Sequence, residues 1–101
     1  MNTKIISGKF HSNTKNYRSR NGHHYFTFNF VDQGSYLNIF CTYHPSINGK
    51  DSDPHKTHLF PSGKVCFVEG REPRTQSQAE KMAAQWAEYF LEYRKTGIAQ
   101  S

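Results

Sequence analysis

Long apolar runs are missing from this chain of 101 residues. Nothing approaches the roughly 20 consecutive residues a bilayer span needs, and the opening MNTKIISGKF carries no apolar stretch of the kind a secretion signal uses. The expectation is a cytoplasmic protein that keeps away from membranes. Cysteine is scarce, with only Cys41 and Cys66, and a cytosolic chain of this size is not expected to hold a structural disulfide, so both are read as free thiols. A zinc site could draw on His44, His55, His58 and Cys66, but the closely spaced Cys pairs that usually supply such sites are absent, and no metal or cofactor is expected. Gly-rich phosphate loops, nucleophile elbows, paired-His metalloprotease motifs and internal repeats are absent as well. Basic residues never gather into the dense run of about five to eight that marks a polybasic patch.

Hydrophobic residues make up 35% and aromatics 15% of the chain, spread along its length rather than confined to one segment. That is enough to bury one core, and the length leaves no room for a second, so residues 1–101 are read as a single domain. Thirteen Lys and Arg against eight Asp and Glu give a net charge of +5, which favours acidic partners.

Lys4 to Phe10, with Ile5, Ile6 and Phe10, suits a first strand. His11 to Gly22 is polar and ends in Asn21-Gly22, a pair suited to a tight turn, and reads as a hairpin connection. In HHYFTFNFV, Phe26, Phe28 and Phe30 recur with the period of two that puts them on one face of a strand. After the turn Asp32-Gln33-Gly34-Ser35, YLNIFCTYH alternates again, with Leu37, Ile39, Cys41 and Tyr43 opposite Tyr36, Asn38, Phe40 and Thr42. Aromatics on both faces suggest that this strand is central and covered on both sides. Pro45 to Pro61 is a long polar loop broken by prolines. KVCFV, from Lys64 to Val68, reads as an edge or irregular strand.

A helix from about Ser77 to Lys95 follows. Ser77-Gln78-Ala79-Glu80 fits a capping box, and Ala79, Met82, Ala83, Trp86, Phe90 and Tyr93 recur at three- and four-residue steps. Thr96-Gly97 supplies the stop. The fold class predicted is α+β: an antiparallel meander of about four strands, a long loop, and one C-terminal amphipathic helix whose aromatic stripe covers the phenylalanine face.

Loops as long as Pro45–Pro61 are often functional, and the residue of chemical interest beyond it is Cys66. Lys64 lies beside it and His58 upstream, and neighbouring positive charge favours the nucleophilic thiolate. The same local sequence also suits an inert core cysteine between Val65 and Phe67. Asp51 and Asp53, in the flexible loop, read as solvated carboxylates.

HLFPSGKVCF, residues 58 to 67, resembles the active-site approach of compact bacterial relatives of the ubiquitin-conjugating enzymes, in which a His, a Gly-containing turn and a Cys occur at this spacing. WAEYFLEYRKTG, residues 86 to 97, resembles the closing helix of those proteins. The likeness in element order runs from about residue 23 to residue 97. It implies that Cys66 accepts the C-terminus of a ubiquitin-like protein as a thioester, that His58 begins the active-site motif, and that the partners are that protein and its activating enzyme. The family's eukaryotic His-Pro-Asn motif does not precede Cys66; the chain's His44-Pro45 is followed by Ser46.

Two other readings stand beside it. KIISGKF, the basic loop and the two aromatic strands resemble the opening of oligonucleotide-binding barrels, where rings stack on bases and cations track phosphates. Lys15, Tyr17, Arg18 and Arg20 would then bind single-stranded nucleic acid, although the helix after GKVCFV stands where such a barrel needs another strand. The last reading is a protein-interaction domain that keeps a conjugation-like fold without catalysis.

Overall fold

Phe26 and Phe28 are fully buried and Phe30 partly so, as expected of alternate residues on a strand with one covered face. They belong to β3 (Tyr25–Asp32), which pairs with β4 (Leu37–Tyr43) with Phe28 opposite Cys41 and Phe30 opposite Ile39. A bulge between Thr27 and Phe28 shifts the register. The computed structural model describes residues 9–10 and 16–99 of the chain. Ile5, Ile6 and Lys15 lie outside the described residues.

The sheet is antiparallel throughout, in the order β1-β2-β3-β4, with β2 (Asn16–Arg18) pairing Tyr17 with Phe26. Of the first expected strand, only Lys9–Phe10 (β1) is described, lying along β2. The strand content differs from the sequence reading in one place. Asn16–Arg18 was expected in a loop but is a strand, because Tyr17 has an apolar face to fill beside Phe26, with ring centroids 6.3 Å apart. Lys64–Val68, read as an edge or irregular strand, is irregular, contributing only single bridges, Lys64 to Phe40 and Val65 to Leu59. These bridges nonetheless close the outer edge of β4: the Cys41 N–H donates to Gly63 O at 2.7 Å and the Val65 N–H to Ile39 O at 2.8 Å. An edge covered in this way offers no free ladder to a second chain.

The long loop contains a short helix, α1 (Pro54–Thr57), started by Asp53, whose side chain accepts from the His55 N–H. The C-terminal helix, α2, spans Gln76–Thr96. Its N-cap is Thr75 rather than the expected Ser77: the Thr75 hydroxyl accepts from the Gln78 N–H at 3.1 Å, and the Gln78 side chain accepts from the Arg74 N–H at 2.8 Å. The capping arrangement lies two residues upstream because Thr75, not Ser77, still has the extended backbone a cap requires. Gly97 closes the helix at φ 73°, its N–H on Tyr93 O, as the sequence led one to expect.

α2 lays Ala79, Ala83, Trp86, Ala87 and Phe90 into the core. Phe26 meets Trp86 at 5.8 Å and 80° and Phe90 at 5.9 Å and 88°, and Phe28 meets Trp86 at 6.0 Å and 82°. These are edge-to-face contacts, the arrangement aromatic quadrupoles favour. The polar ends of the same stripe hold the long loop. Trp86 Nε1 donates to Thr57 O at 2.9 Å, the Tyr89 hydroxyl to Lys56 O, the Tyr93 hydroxyl to Asp51 O at 2.7 Å, and Arg94 Nε to Ser46 O at 2.7 Å. No helix among the described residues is long and apolar enough to cross a membrane.

Candidate active site: the Cys66 groove

The segment that carries Cys66 is shaped by main-chain bonds. His58 caps α1 in the left-handed region at φ 57°, its N–H on Pro54 O. From there the chain runs out and returns around Gly63: Phe60 N–H donates to Lys64 O, Gly63 N–H to Phe60 O, and Cys66 N–H to His58 O at 2.9 Å. Gly63 has φ 93°, and a Cβ added there would sit 3.0 Å from Cys41 O. Both the turn and its close approach to β4 therefore call for glycine.

His58 and Cys66 are thus brought side by side, joined through the backbone. They line an open groove of about 560 Å³ with Phe67, Met82, Trp86 and Tyr89. The His58 ring faces Tyr89 with centroids 5.1 Å apart. The groove wall is fixed, since Trp86 and Tyr89 are tied by their polar atoms to the carbonyls of Thr57 and Lys56.

The two cysteines have different surroundings. Cys66 is half-buried, and burial pushes its thiol above the ordinary range while Lys64 pulls weakly the other way. Cys41 is 6% exposed, its Sγ 3.2 Å from Tyr43 O, and burial pushes its pKa up to about 12. Both are free thiols. Of the two, Cys66 is the more accessible to solvent.

The residues of the nucleic-acid reading are distributed over different parts of the fold. Tyr17 is fully buried, its hydroxyl donating to Glu88 Oε2 at 2.6 Å, so its ring belongs to the core and not to a stacking surface. The correction follows from strand alternation: Tyr17 shares the helix-facing side with Phe26, which sends Arg18 and Tyr25 to the opposite face. There the Arg18 guanidinium lies 4.9 Å from the centroid of the Tyr25 ring. Arg20 sits in the β2–β3 turn with an exposed side chain, its N–H on Glu88 Oε2 at 2.9 Å.

The sequence reading missed the groove walls Met82 and Tyr89 and the company that Arg20 keeps across the fold with Arg94 and Lys95. For Tyr89 a signal existed, since it lies three residues after Trp86 and four before Tyr93, at helical spacing. For Arg20 none did. Among the described residues, no three His, Cys, Asp or Glu side chains come together as a metal site. No family model, curated protein or solved structure matches this chain.

Proposed function

We propose that this domain carries a ubiquitin-like protein as a thioester on Cys66. The observation that supports the reading best is the half-buried Cys66 lining an open groove, held by its own N–H to His58 O, while the other thiol is buried in the core. In the loading step the Cys66 thiolate attacks the carbonyl carbon of a thioester on the activating enzyme. A new S–C bond forms, the old C–S bond breaks, and the donor cysteine leaves as thiolate, which takes up the proton Cys66 gave to water. Burial, by holding the Cys66 thiol above its ordinary pKa, leaves little thiolate near neutral pH, but thioester exchange proceeds from such a fraction, and a more basic sulfur is the stronger nucleophile. His58 acts as a positioning residue through its carbonyl.

The test is loading with a ubiquitin-like protein, its activating enzyme and ATP, read on a non-reducing gel. A reductant-sensitive adduct that survives Cys41→Ala and disappears in Cys66→Ala is expected. Free labelling of Cys66 by alkylating probes without any adduct, across a panel of ubiquitin-like proteins, would move the domain to the class of non-catalytic interaction modules.

A second reading has one observation in its favour. Arg18, which lies by the ring of the exposed Tyr25 and donates to its hydroxyl on the sheet face away from α2, is a pairing of cation and ring that single-stranded nucleic acid uses. Few cations gather there, so the salt slope would be shallow, on the order of −1 to −2 for one or two phosphates met.

A further inference from the structure

On the flank of α2 away from Cys66 lies a cleft of about 540 Å³ between the β2–β3 turn and the last turns of the helix. Arg20, Asn21 and His24 line it from the turn, and Arg94 and Lys95 from the helix. Its hydrogen-bonding capacity is weighted toward donors. Asn21 Oδ1 already accepts from the Ser19 hydroxyl at 2.6 Å and from the His23 N–H at 2.9 Å, which leaves its amide N–H groups to offer. Glu88 is occupied at one oxygen, Oε2, which accepts from both the Tyr17 hydroxyl and the Arg20 N–H. Arg94 is anchored through Nε to Ser46 O, which leaves its two terminal amino groups as donors, and Arg20 and Lys95 are exposed cations. The lining acceptors set against these donors include Glu88 Oε1 and the Glu92 carboxylate.

We infer that this cleft binds a phosphate group. Three permanent cations and an oriented amide supply donors in excess of acceptors, and an oxyanion with several lone pairs is the ligand that satisfies them. The His24 imidazole in this lining is held below its ordinary range, by burial first and then by Arg94 and His23. Dimensions agree as well, since the cleft has the size of a small-ligand site. The site stands apart from Cys66 and does not depend on thioester chemistry.

The phosphate could be that of a small free compound or of a nucleic-acid backbone, and amide-resolved NMR titration of the intact chain separates the two. Pyrophosphate is expected to give saturable shifts concentrated at Arg20, Asn21, His24, Arg94 and Lys95. The double substitution Arg20→Gln with Lys95→Gln, both exposed side chains outside the core, should weaken it about tenfold or more while the thermal melt stays in place. Arg94→Gln should weaken it further. A single-stranded oligonucleotide that moves the same residues, with a steep salt dependence, assigns the phosphate to a nucleic acid; an inert oligonucleotide beside saturable pyrophosphate assigns it to a small compound. Shifts scattered over all Lys and Arg, no saturation, an unchanged affinity in the double variant, or oligonucleotide shifts confined to Arg18 and Tyr25 without pyrophosphate binding would overturn the site.

Discussion

The two flanks of α2 use the same helix for opposite purposes. On one, Met82, Trp86 and Tyr89 face the returning segment from His58 to Val68, and an apolar groove holds a thiol whose acidity is set mainly by burial. On the other, Glu88, Glu92 and Lys95 face the β2–β3 turn, and the cleft is lined by charges and amides. Between them runs the core stripe. The lesson is one of angular position: a helix turning 100° per residue places residues three and four apart on one side, so a shift of two residues carries a side chain from apolar packing to solvated charge.

The comparison breaks most severely at Trp86, which belongs to both core and groove. Trp86→Ala removes three aromatic contacts and the bond to Thr57 O, and should cost about 3 to 5 kcal/mol, a large part of the stability of a domain this small. A thermal melt that does not move would refute the packing. Gly63→Ala probes the apolar flank alone. Its positive φ and the 3.0 Å approach to Cys41 O predict a loss of about 1 to 3 kcal/mol by chemical denaturation, with faster hydrogen exchange at Cys41 and Val65, whose N–H groups bond across this edge.

The thiols sharpen the comparison without altering the fold. Native-state alkylation at pH 8 should modify Cys66 faster than Cys41 by about an order of magnitude or more, since Cys41 waits for a local opening. For each sulfur the reactive thiolate grows as pH rises toward its own pKa, so the Cys66 rate should climb with pH from neutral upward. Cys41, pushed up to about 12, should stay slow well beyond pH 9. Faster labelling at Cys41 would reverse the assignment of buried and accessible thiol. The smallest effect is expected on the polar flank: Arg20→Gln with Lys95→Gln should change stability by no more than about 0.5 kcal/mol, because neither side chain packs into the core. A larger loss, seen in denaturant melts, would mean that the basic cleft braces the fold.

Much of this arrangement was legible beforehand because it rests on short-range periodicity. The alternation of Phe26, Phe28 and Phe30, the helical recurrence of Ala83, Trp86 and Phe90, and the glycine stop at Gly97 all describe one element at a time. The helix start was misplaced by two residues because Thr75 and Ser77 are both good caps, and only the backbone bend after Pro73 chooses between them. Tyr17 was misassigned because a tyrosine among Lys, Arg and Asn looks solvated until Phe26 is known to lie opposite it. The irregular course of Lys64–Val68 was foreshadowed by its shortness and the glycine before it, and the Gly63 turn leaves it only two bridges to make.

The sequence by itself determined that the chain folds as an α+β domain, with an antiparallel aromatic sheet, a capped amphipathic helix and two free thiols, because propensity, period and capping act over a few residues. Tertiary structure alone decided that the long loop is held by Trp86, Tyr89, Tyr93 and Arg94 through its carbonyls, and that Arg20 joins Arg94 and Lys95 across one cleft. Those facts join residues far apart in the chain. Their distances are set by how the sheet and α2 settle on one another, a sum of packing contacts that no local pattern encodes.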